Sequence, residues 1–191
     1  MTGLGAGGLL GGLPANAHAF TQPMGSLPAT SSANHNLRVG RTRIEIDGKC
    51  LDAPSVGGTV PGPILRWKQG DTVSINVTND LSESTSIHWH GIRVPSNMDG
   101  VPGLSFAGIA PGETFTYRFR LHQSGTYWYH GHSGMQEAQG LYGAIVIDPR
   151  TPDPTPCERD YVVLLSEWTD VDPIKIFFPP NEIITLKRYI W

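Results

Sequence analysis

The clearest order in the chain is a two-residue alternation of apolar and polar side chains, recurring in short runs from about Arg38 to Ile147. Over residues 71–79, Val73, Ile75 and Val77 fall on one face and Ser74, Asn76 and Thr78 on the other. Over residues 113–121, Phe115, Tyr117, Phe119 and Leu121 oppose Thr116, Arg118 and Arg120. This period predicts strands with one face in a core and the other in water. Residues 38–46 alternate charged and branched side chains, 59–67 form an extended segment carrying Pro-Gly-Pro, and 85–90 read as a further strand. Residues 125–130 make an aromatic strand and 144–147 a short apolar one. Turn signals at Pro95, Asn97, Asp99-Gly100, Pro102-Gly103, Gly108 and Pro111-Gly112 separate the central runs, and no helical period precedes Gln136. About seven short strands with turns between them predict an all-β fold, an antiparallel sandwich of roughly 100 residues.

Composition narrows the class. The 191 residues carry a net charge of −3 and no long apolar span, which suits one soluble domain with additional chain and excludes a membrane-spanning role. Basic residues are scattered, with Lys187-Arg188 the only late cluster beside aromatics, so a nucleic-acid partner is not expected. Residues 1–19 differ from the rest: they are Gly-rich and apolar, no charge precedes Arg38, and Ala17-His18-Ala19 has the pattern of a cleavage site. They read as an export signal of the twin-arginine type without its arginines, placing a mature chain beginning near Phe20 in the periplasm. Residues 20–36 read as a flexible lead-in. After Pro149, TPDPTP reads as a linker and 161–168 as the first strand of another domain. The 42 residues from Arg150 to Trp191 are few for an independent core, and FFPPNEIITLKRYIW has no clear period. Cys50 and Cys157 lie in no CxxC or Cys/His cluster, so the default is two unpaired thiols. Export would permit a disulfide between them, and the sequence leaves their pairing open.

The chemistry concentrates in two histidine couplets, His88-Trp89-His90 and His130-Gly131-His132, each in a strand or at its end. Alternate side chains of a strand share a face, so both imidazoles of a couplet project together. Four convergent ring nitrogens suit copper, zinc, iron or nickel. A lone HxH has little specificity, and buried histidines without a metal are its bland reading. His18, His35 and His122 fall outside the couplets and are not expected to be ligands.

At HWHG, MDGVPG, IAPGETFTYRF and GTYWYHGHSG the chain resembles the first cupredoxin-like domain of multicopper oxidases, in particular the exported copper-resistance oxidases of bacteria. The likeness runs from about Arg38 to Trp168, through VPGP, GDTVSINVTN and GLYGAIVIDP and into LLSEWTDVDP. It implies a cupredoxin-like Greek-key β-sandwich over residues 37–149, followed by a linker and the incomplete start of a second domain over 150–191. It implies copper as the cofactor, with His88 on a type 2 copper and His90, His130 and His132 on a type 3 pair. Asp99 matches an acid that helps protonate reduced oxygen, although Met98-Asp99-Gly100 is equally a turn signal. Gly131 stands where relatives often carry Ser. A type 1 site needs two His and a Cys, usually with a weak axial Met. No His follows His132, and Cys157 precedes Glu158-Arg159-Asp160, so the family's HxxHxH and HCH motifs are absent from this chain.

The resemblance therefore implies the N-terminal part of an exported oxidase, carrying half of a trinuclear copper site. Its partners would be dioxygen, a reductant such as Cu(I) or a phenol, and the missing C-terminal cupredoxin domains, and the chain alone would not turn over. The alternative is a non-catalytic module that sequesters copper, weakened by the lack of Met-rich segments: the methionines are Met1, Met24, Met98 and Met135. Assembly of several copies, as in two-domain laccases, leaves the type 1 site unexplained.

Overall fold

A computed structural model describes residues 33–152, 155, 157–168, 171–177 and 187–190. The expected export signal and most of the lead-in lie outside the described residues. Two four-stranded sheets form the body. The first has the order β2 (Lys49–Val56), β1 (Asn34–Ile46), β4 (Thr72–Asn79) and β6 (Thr114–Arg120). The second has the order β3 (Leu65–Lys68), β8 (Tyr142–Asp148), β7 (Gly125–His130) and β5 (His88–His90).

Between the sheets lies one core, in which Val39, Val73, Ile75, Val77, Tyr117, Phe119 and Leu121 meet Leu65, Trp89, Tyr129, Ile145 and Ile147. Alternation accounts for it: β4 buries Val73, Ile75, Val77 and Asn79 and leaves the residues between them partly or fully exposed. Asn79 is the polar member. Its amide donates to the carbonyls of Glu83 and Ile109, at 2.8 Å each, and its side-chain oxygen accepts from Leu81 N–H at 2.9 Å. A buried amide so satisfied costs little and ties the approach to β5 to the end of β4.

The sheets are mixed, whereas the pattern predicted antiparallel pairing throughout. β1 pairs in parallel with β4, Asn34 opposite Ser74 to Val39 opposite Asn79, and β3 pairs in parallel with β8. The chain crosses to the second sheet for β3 and returns beside β1 in the same direction, and alternation cannot encode which neighbour a strand meets. β2 was not expected at all, although Asp47-Gly48 is a strong hairpin signal; both residues have positive φ, 53° and 71°, as a two-residue turn of the favoured hand requires. The expected strand at 59–67 contracts to Leu65–Lys68, because Pro61 and Pro63 have no N–H for a ladder. β1 begins at Asn34, inside the expected lead-in.

Beyond Pro149, β9 (Leu165–Trp168) pairs antiparallel with β10 (Lys187–Ile190), and a short helix α1 (Pro173–Phe177) lies between them in sequence. Trp168 packs into a small cluster with Ile46 and Ala53 on the outer side of the first sheet. Cys50 and Cys157 are both exposed and free. Among the described residues no helix is long and apolar enough to cross a membrane.

Candidate metal centre

β5 is only three residues long, and its register places His88 opposite His130, Trp89 opposite Tyr129 and His90 opposite Trp128. Alternation sends Trp89 fully into the core, edge-on to Tyr117 with ring centroids 5.2 Å apart. That anchor leaves both imidazoles of the couplet on the opposite face. The Ile87 N–H, just before them, donates to the buried Tyr117 hydroxyl at 3.1 Å.

The His88 ring stands among the others, its centroid 5.5 Å from His90, 5.3 Å from His130 and 5.6 Å from His132. One ligand nitrogen each from His88, His90 and His130 lies within 4.8 Å of the other two. His90 Nδ1 and His130 Nε2 are 3.3 Å apart. With metal–nitrogen bonds of about 2.0–2.1 Å, that spacing corresponds to two ligands of one ion at an angle of about 105–110°, so the donors fit a metal. His132 follows the end of β7, with its ring 5.6 Å from that of His88 and 5.9 Å from that of His130. Its backbone N–H donates to Ser86 Oγ at 3.2 Å, and Ser86 also meets Ser133 Oγ at 2.9 Å, which pins the loop to the strand leading into β5.

The nitrogens that face away from the centre are engaged. His88 Nδ1 donates to the Asp99 carbonyl at 2.8 Å, with the Asp99 carboxylate 3.4 Å from the same nitrogen. His130 Nδ1 donates towards the Gly131 carbonyl at 3.0 Å and the Glu137 carboxylate at 2.8 Å. In a neutral imidazole such bonds select the Nδ1–H tautomer, whose Nε2 lone pair can bind a metal, the usual way a protein sets an imidazole for a metal. Partial loss of hydration, followed by repulsion from His130 and His88, lowers the His90 pKa against the pull of Glu137, which favours the neutral, ligating form. The bond from His130 holds the Glu137 carboxyl below its ordinary range, against partial burial. Trp128 stacks on His130 with centroids 4.2 Å apart and lies 4.8 Å from His90.

Two glycines make this packing possible. Gly100 has φ of 74°, and a Cβ there would fall into the Ile87 carbonyl. Gly131 sits so close to Leu141 that a Cβ would overlap its side chain and come within 3.2 Å of Gln136 Cβ. Sequence reasoning missed Glu137, Ser86 and Trp128. Glu137 lies five residues past His132, but its bond to His130 depends on the chain folding back through Gln136. Trp128 was visible only as an aromatic in a strand.

The sequence model of the multicopper oxidase family matches residues 38–152. The chain belongs to that family. It is 54% identical to copper resistance protein A of Escherichia coli over 151 residues, covering 78% of this chain and 25% of the relative. It is 49% identical to a copper resistance protein A homolog of Pseudomonas syringae pv. tomato over 177 residues, covering 91% of this chain and 30% of that one. Among solved structures, the laccase from Botrytis aclada superposes with a TM-score of 0.68 at 36% identity, over 85% of this chain and 31% of the laccase. The blue copper oxidase from Nitrosomonas europaea gives 0.68 at 32%, over 83% and 52%. This multicopper oxidase chain thus resembles the copper-resistance branch, has the cupredoxin-like fold of its structural neighbours, and takes copper as its cofactor. It spans about a quarter to a third of the length of these curated relatives.

Proposed function

We propose that this chain supplies the first-domain half of a trinuclear copper site in an exported copper-resistance oxidase that reduces dioxygen. His88 holds the type 2 copper, and His90, His130 and His132 belong to the type 3 pair. The observation that carries the reading is the convergence of three imidazoles with their nitrogens within 4.8 Å, two of them tied through Nδ1 to groups that leave Nε2 free. Bound copper supplies the one-electron steps by which dioxygen becomes water. The chain's own residues orient and protonate. The Asp99 carbonyl fixes His88, and its carboxylate, 38% exposed, exchanges protons with solvent and passes them towards the site.

The remaining ligands and the electron-entry copper come from cupredoxin domains outside this chain, which also receive the reductant, Cu(I) or a phenol. The exposure of Tyr161, Val163 and Leu165, at 64%, 61% and 70%, supports a covering partner after Pro149. A periplasmic site of action follows from the reading of residues 1–19 as an export signal.

Titration of the purified chain with Cu(II), followed by electron paramagnetic resonance and visible absorption, tests the proposal. Copper is retained without an intense blue band and without appreciable oxidase turnover; a blue band overturns the assignment of half a site. Replacing His90 and His132 together with Ala abolishes retention. Unchanged retention shows that the couplets are structural. An HCH motif encoded downstream favours the oxidase over a module that only sequesters copper.

A further inference from the structure

We propose that Glu137 is the positioning residue for His130: its carboxylate fixes the tautomer that turns Nε2 towards the copper and places a negative charge behind that ligand. The idea rests on the copper-binding reading above. Glu137 Oε2 lies 2.8 Å from His130 Nδ1, on the side of the ring away from Nε2, and Nε2 is the atom 3.3 Å from His90 Nδ1. One imidazole thus faces a carboxylate at one nitrogen and a fellow ligand at the other. The His130 side chain is 7% exposed, so its orientation is set by these neighbours rather than by water.

The turn that carries Glu137 is held rigidly. It spans Glu137–Gln139 and follows Gln136, which is 3% exposed. Gln136 accepts from Thr85 Oγ1 at 2.7 Å and donates to the Ser84 carbonyl at 3.0 Å, while its backbone carbonyl accepts from Leu141 N–H at 3.1 Å. Thr85 and Ser84 begin the segment that leads to His88. The carboxylate is therefore fixed to the same framework as the ligands it serves. The Gly131 carbonyl, 3.0 Å from the same Nδ1, is a second acceptor but carries no charge. An anion hydrogen-bonded to the far nitrogen raises the basicity of an imidazole ligand. Its charge should favour the more positive metal state, Cu(II) over Cu(I).

Two measurements on the full chain decide the matter. In the metal-free protein, nitrogen NMR of the imidazoles reads His130 as the Nδ1–H tautomer, and in Glu137→Ala the population shifts towards Nε2–H. A wild-type His130 protonated on Nε2, or a population unmoved by the substitution, overturns the proposal whatever copper does. Competition titrations against chelators then give affinities for Cu(II) and Cu(I) separately. Glu137→Ala weakens Cu(II) binding by about 10–100-fold and Cu(I) binding less; Glu137→Gln, which keeps an acceptor but loses the charge, falls between it and the wild type. Equal losses for both oxidation states argue for simple loosening and overturn the charge effect. A wild-type chain that retains no copper defeats the function proposed above, while the tautomer measurement still decides the hold of Glu137 on His130.

Discussion

Gly100→Ala is the sharpest test of how the fold builds the site. Gly100 follows the turn through Ser96–Met98 and adopts φ of 74°, a region that costs a residue with a Cβ about 1–2 kcal/mol. Besides falling into the Ile87 carbonyl oxygen, the added Cβ would stand 2.6 Å from the Ile87 carbonyl carbon and 3.2 Å from His88 N. A carbon and a carbonyl oxygen in contact are about 3.3–3.6 Å apart, so clearing the Ile87 oxygen requires moving main chain by more than about 1 Å. The main chain in question is held: Ile87 is fully buried and its N–H is bonded to Tyr117. Overpacking of this kind adds about 1–3 kcal/mol, for a total of about 2–5 kcal/mol. Gly112→Ala is the internal control, with φ of 78° and nothing within 4 Å of the added Cβ; it bears the backbone cost alone, about 1–2 kcal/mol. Equilibrium urea denaturation measures both. Nitrogen NMR of His88 reports whether the Asp99 carbonyl, next to Gly100 in the chain, still accepts from Nδ1. Equal destabilisation by the two substitutions, within about 0.5 kcal/mol, would refute the close-approach argument. Lost stability with an unchanged His88 tautomer would refute the coupling to the site.

Tyr117→Phe removes the acceptor of the buried Ile87 N–H and costs about 1–3 kcal/mol by urea denaturation; a loss below about 0.5 kcal/mol means the amide finds another partner. Burial pushes the Tyr117 and Tyr129 phenols well above their usual range, so neither shows phenolate absorbance until the fold opens. The bidentate bond from Arg66, at 2.9 and 2.7 Å, holds the Asp148 carboxyl below its ordinary value. Both side chains are nearly half exposed, so Asp148→Asn costs no more than about 1 kcal/mol. That advantage is complete above the unfolded aspartate value of about 3.9 and shrinks as pH falls through the lower folded value; an equal difference at neutral and acid pH would contradict the linkage.

Much of this was legible along the chain, for a physical reason. The faces of β4 and β6 follow from a local rule, because the side chain of every second residue points the same way. The two imidazoles of His88-Trp89-His90 were expected to project together, and the structure has them on one face with Trp89 buried on the other. What escaped notice was long-range or atypical in sequence. β2 was missed despite its turn, since Lys49-Cys50-Leu51-Asp52-Ala53-Pro54 alternates poorly. Glu137 was missed because its bond to His130, at the end of β7, needs the chain to fold back through the turn at Gln136. The four histidines were expected as one set; ring nitrogens of His88, His90 and His130 lie within 4.8 Å of one another, and the His132 ring, beyond the end of β7, lies 5.6 Å from that of His88.

The sequence by itself determined the strand period, the sandwich class and two HxH couplets fit for a transition metal, because side-chain alternation and ligand type are properties of neighbouring residues; copper in particular came from the likeness to multicopper oxidases. Only the tertiary structure decided that β1 runs parallel to β4, that His88 faces His130 across a ladder, and that Asp99 and Glu137 reach the outer nitrogens of those rings. Those facts depend on register and on loops folding back, which free energy settles across the whole core rather than within any stretch of chain.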